Sequence, residues 1–175
     1  MIFKLFKEKS NKKYLNNILA KRYMDNVNSE IKSLGVIIHI DKFDDYESFR
    51  ELASHLNIHT KNLKVIAYTT NEKADNNSWD ECFTFKDFGW SGNIKNISLK
   101  SFIETKFDAL VSYYDDDVLE LKLITGMSKA YFKIGLFQED NRLNDLIIKT
   151  SLNEFIVFRN ELFKYLTILK KIKNE

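Results

Sequence analysis

The chain contains no proline, one cysteine and five glycines in 175 residues. Without proline there is no cis-prolyl bond and no proline kink, so turns must rest on Asn, Asp and the few glycines. The lone thiol, Cys82, leaves no intramolecular disulfide and fits a reducing compartment. Uncharged apolar runs fall far short of the ~20 residues that a membrane span needs. Charges at Lys4, Lys7, Glu8 and Lys9 leave no room for a signal-peptide apolar region, so a cytoplasmic protein is expected. An excess of one charge sign is lacking as well. The net charge is +2 with 30% charged residues, which fits neither a disordered tail nor a strongly cationic binder.

Motifs that would name a reaction are also missing. No G-x-G-x-x-G follows the first apolar run, and no G-x-x-x-x-G-K-[ST] occurs, so the usual phosphate cradles are absent. Asp87-Phe88-Gly89 copies a kinase tripeptide, but no H-R-D loop precedes it. His55 and His59 lack the H-E-x-x-H spacing and have no cysteine nearby. His39 falls inside an apolar run and reads as a satisfied core residue.

What is present is a set of strand and helix patterns. Hydrophobic residues make up 44% of the chain and aromatics 14%, enough for one domain with a real core. Gly35–Ile40 reads as a strand buried on both faces. Asp44 to about Leu56 reads as a helix, with Asp44 three residues before Glu47 as a capping-box start. Strands are expected at Leu63–Thr69, Phe83–Phe85, Ala109–Tyr114, Ala130–Leu136 and Leu146–Lys149. Helices are expected at Ser98–Glu104, with a serine cap, at Asp117–Met127, and after the Ser151-x-x-Glu154 box. Residues 71–82 read as a polar loop. This alternation predicts a single-domain, three-layer α/β protein over 1–175, with a mostly parallel, Rossmann-like sheet and helices on both faces.

Residues 1–28 stand apart from the α/β core of 35–175. Seven Lys/Arg oppose only Glu8 and Asp25, a local +5, which leaves −3 for the rest of the +2 chain. Tyr14, Leu15, Ile18, Leu19 and Met24 recur at helical spacing, so a basic helix, or two short ones, should pack on the domain. Lys4, Lys7, Lys12 and Lys13 are the candidate contacts for an anionic partner, an RNA or a membrane surface. The same residues also suit a plain solvated helix face.

In a doubly wound sheet, ligands bind at the carboxyl ends of strands where the strand order reverses. If the order is 3-2-1-4-5, Asp41 ends one central strand and Asp115 its neighbour, with Asp116 adjacent. Two readings of these carboxylates stand side by side. Asp41 and Asp115 can hold Mg²⁺ for phosphate chemistry. They can equally cap the helices they precede. Phe88 and Trp90 are candidates for a wall over a bound base, or for core packing. The expected function is a binding or interaction module without a catalytic motif. The alternative is a small Mg²⁺-dependent enzyme that binds a nucleotide or phosphate. The sequence does not decide whether the chain is an enzyme.

The segments KEKSNKKYLNNILAKR, DKFDDYESFRELA, KDFGW, FDALVSYY, LELKLITGMSKAYFKIGL and NDLIIKT together resemble a family of short bacterial proteins classed as a domain of unknown function. That resemblance runs nearly end to end and implies no activity. The FDALVSYY to KIGL crossover, with Phe107, Asp108 and the Ala130–Gly135 strand, is also similar to one in the N-terminal half of heptosyltransferase-like glycosyltransferases. The second likeness spans about 30 residues and implies fold, not transfer chemistry.

Overall fold

The computed structural model describes residues 2–23, 30–71, 81–136 and 139–173. Met24 and most of the polar 71–82 stretch lie outside these. The elements in chain order are α1 (Ile2–Ala20), β1 (Leu34–His39), α2 (Tyr46–His55), β2 (Leu63–Tyr68), β3 (Cys82–Phe83), α3 (Ile97–Glu104), β4 (Ala109–Tyr113), α4 (Leu119–Met127), β5 (Phe132–Gly135), β6 (Leu146–Ile147) and α5 (Phe155–Ile168). Short 3-10 turns stand at Thr60–Asn62 and Phe85–Asp87.

The six strands form one parallel sheet in the order β3-β2-β1-β4-β5-β6. All six residues of β1 are buried, and so are all five of β4. That is what central parallel strands covered on both faces require. Side chains alternate between two cores. Leu34, Val36 and Ile38 join Phe49, Leu52, Phe155, Phe158 and Leu162 from α2 and α5. Ile37 faces the other way, with Leu15, Leu19, Leu99, Phe102, Leu121 and Ile124 from α1, α3 and α4. The sheet therefore carries helices on both faces, a three-layer α/β fold.

Local chemistry moves several predicted boundaries. Asp45, not Asp44, caps α2, accepting from the Ser48 N–H at 3.1 Å. The short-chain amide of Asn96 caps α3 through the Leu99 N–H at 3.0 Å, so that helix starts before Ser98. α4 begins at Leu119, after an uncapped Val118, rather than at Asp117. Ser151 N–H and Oγ–H both donate to the Glu154 carboxylate, which makes a turn ahead of α5 instead of a reciprocal box. Asn57 ends α2 in the left-handed region at φ 57°, a conformation that asparagine tolerates.

α1 is one helix. It buries Asn11, Leu15 and Leu19 and lies against α4. Gly126 makes the approach possible, since a Cβ there would stand 2.9 Å from Leu15 Cδ1.

Candidate functional site

β1 pairs with β2 on one side and β4 on the other. Strand order thus reverses between β1 and β4, and their carboxyl ends open one crevice. The structure brings Asp41 and Asp116 to the same imidazole there. His39 Nδ1–H donates to Asp116 Oδ2 at 2.8 Å, and His39 Nε2 lies 3.5 Å from Asp41 Oδ2. His39 is only 5% exposed, and its ring meets the edge of Tyr68 at a centroid distance of 5.2 Å. Lys42 Nζ approaches Asp116 at 3.3 Å and Asp115 at 4.0 Å.

Asp41 is held from the other side by the end of β2. Thr69 Oγ1–H donates to it at 2.7 Å, Thr70 N–H at 2.7 Å and Thr70 Oγ1–H at 2.6 Å. Partial burial pushes its carboxyl pKa up, but the Thr70 and Thr69 donors and His39 outweigh that and hold it below the usual aspartate value. Burial, reinforced by Glu120, Asp41 and Asp116, pushes the Tyr68 phenol up to about 12. The carboxylates therefore clamp the loops after β1, β2 and β4 together. Asp115 faces outward toward Lys42. Among the described residues, no group of three or more His, Cys, Asp or Glu side chains is placed to hold a metal ion.

Beside this clamp lies a cleft of about 490 Å³ between α1, the end of β2 and the first turn of α4. Lys4, Lys7 and Lys12 line one wall, Tyr68 and Thr70 the floor, and Glu120 and Lys122 the other wall. Lys12 pairs with Glu8 at 2.7 Å, and Lys122 pairs with Asp117. Lys7 donates to the Phe88 carbonyl at 3.0 Å. Lys4 and Lys7 both sit over the Phe85 ring, at 5.2 and 5.8 Å from its centroid. Among the described residues, no carboxylate forms an ion pair with Lys4 or Lys7. Lys13 points elsewhere, to the outer face of α1 with Phe6 and Lys9.

The aromatics in this cleft are Tyr68 and Phe85, not Phe88 or Trp90. Phe88 is fully buried against Phe83. Trp90 belongs to a loop that α1 grips. The buried Asn11 amide donates to the Gly89 carbonyl at 3.1 Å and accepts from Gly92 N–H at 2.9 Å. Gly92, at φ +73°, packs directly on the Tyr14 ring. Cys82 is half-buried, and burial pushes its thiol above the ordinary value, opposite to what a nucleophile needs.

Asp108 of the crossover also has a local task. Its carboxylate accepts from Lys32 N–H, Ser33 N–H and Ser33 Oγ–H, joining the segment before β1 to the start of β4. A family described as "Family of unknown function (DUF6913)" matches residues 7–169. No curated protein and no solved structure matches the chain, so the glycosyltransferase likeness gains no support.

Proposed function

This chain belongs to the DUF6913 family, whose function is unknown, and we propose from its own geometry that it is a binding module for a small phosphate-bearing ligand. One observation carries the reading. The 490 Å³ cleft next to the strand-order reversal is lined by Lys4 and Lys7, neither of which makes an ion pair within 4 Å among the described residues, the nearby Glu8 being bridged by Lys12. Its size lies in the range of small-molecule pockets. It opens on the carboxyl-end side of the sheet, next to the reversal point where open α/β sheets take ligands. Lysine serves phosphate as a mobile point charge, and the N-terminal end of α4 adds a favourable dipole. Phe85 supplies an apolar wall.

The Mg²⁺-dependent reading has less support, because Asp41 already accepts three hydrogen bonds and Asp116 is engaged by His39. A thermal-shift screen with inorganic phosphate, pyrophosphate and nucleoside diphosphates, each with and without Mg²⁺, tests both. A ligand at 100 times its Kd adds about 2.7 kcal/mol. The shift should vanish in Lys4→Ala and persist in Lys13→Ala. No shift with any probe, or equal shifts in both variants, would overturn the cleft. A shift that requires Mg²⁺ and is lost in Asp41→Asn and Asp115→Asn would favour the enzyme instead.

A further inference from the structure

The outer face of α1 carries a second feature, separate from the cleft. Ile2, Phe6, Lys9 and Lys13 follow i, i+4, i+7, i+11 spacing and lie on one side of the helix. Asn11, Leu15 and Leu19 are buried on the opposite side. Phe3 is 81% exposed and Phe6 57%, and Ile2 and Leu5 are exposed with them. Large apolar side chains clustered in the open need a reason, since isolated ones are ordinary but a patch is not.

The patch continues off the helix. Ser10, on the stripe next to Phe3 and Phe6, meets Ser91 Oγ at 3.0 Å and accepts from Ser91 N–H at 3.2 Å. Trp90, the residue before Ser91 in the same loop, is 51% exposed. Phe6, Lys9, Ser10 and Lys13 line one shallow surface of α1.

We propose that this face docks on an anionic lipid surface. Aromatic and aliphatic side chains at the helix tip would enter the acyl boundary, while the lysines one and two turns later stay at phosphate level. Tryptophan favours that interface. The cationic complement on this face is Lys9 and Lys13, set beside Phe6 on the outer side of α1, where an anionic headgroup layer would meet them. An RNA partner would use the lysines and aromatics but gain little from Ile2 and Leu5, which have no π-face to stack on bases.

The test is co-sedimentation of the full chain with vesicles of phosphatidylcholine alone or with about one third phosphatidylglycerol. Binding should require the anionic lipid and weaken with salt. Phe3→Ser/Phe6→Ser and Lys9→Gln/Lys13→Gln should each reduce it by about tenfold or more. All four positions are exposed, so both variants should keep the wild-type melting curve. The proposal fails if anionic vesicles leave the protein in the supernatant. It also fails if the Phe3/Phe6 variant binds as well as wild type, or if neutral vesicles bind equally. Binding to single-stranded RNA with no vesicle association would place the partner in a different class and overturn it.

Discussion

Lys133 should give the folded state a pH dependence that one substitution removes. It sits on β5, 3% exposed, and its ammonium donates to the Thr125 and Gly126 carbonyls at 2.7 and 3.2 Å. These are orphan acceptors in the last turn of α4. Burial, and then the charge of Arg22, lower the amine to about 7, with Asp145 opposing. In the unfolded chain the same amine titrates near 10.4. Between those values the unfolded state binds more protons, so stability rises with pH across that window. Below about 7 both states are charged, and the cost of burying the cation is felt in full. Between pH 6 and pH 9 the linkage amounts to about 3 kcal/mol. The assay is urea unfolding of wild type and Lys133→Met at pH 6, 7, 8 and 9. Taking the difference cancels other titrating groups, including Cys82 and the tyrosines. Wild type should gain on the variant by about 3 kcal/mol across the series. A difference that stays flat with pH would refute the reasoning and leave Lys133 a charged cap.

Two further outcomes follow from the clamp and the loop. Asp41→Asn should cost about 1–2 kcal/mol at pH 7, because three donors lose a charged acceptor. Since the folded pKa of Asp41 is lowered, its contribution is complete above the ordinary aspartate value and is lost as pH falls through the lowered one. The gap between wild type and variant in thermal melts should therefore close on acidification below about pH 4. Gly92→Ala combines an unfavourable positive φ with a Cβ directed into the Tyr14 ring. It should cost about 1–3 kcal/mol, and amide exchange should show α1 and the Gly89–Asn93 turn losing protection together.

The sheet was legible because its signals are local and repeated. Continuous apolar runs such as Leu34–His39 and Ala109–Tyr113 admit little else in a chain this short, and intervening helices demand parallel pairing. Helix starts were less legible. Asp44, Asp45, Asn96 and Ser98 all suit a cap, and only backbone geometry chooses among them. The convergence of Asp41 and Asp116 was legible in position but not in wiring. Asp41 and Asp116 do meet at the reversal point, yet through His39, which an apolar run hides as a core residue. Thr69 and Thr70 carry no motif. Phe85, not Phe88, enters the cleft, while Phe88, one residue past a 3-10 turn at Phe85–Asp87, is fully buried. The grip of α1 on the Phe88–Asn93 loop rests on Asn11 and Gly92, 81 residues apart, a separation no periodicity reveals.

The cleft itself is best tested by a ¹⁵N-NMR titration of the full chain with pyrophosphate at physiological salt. Saturable shifts at Tyr68, Thr70, Phe85 and Glu120, abolished in Lys4→Ala, are the predicted result. Shifts confined to the outer face of α1, or none at saturating pyrophosphate, would contradict it.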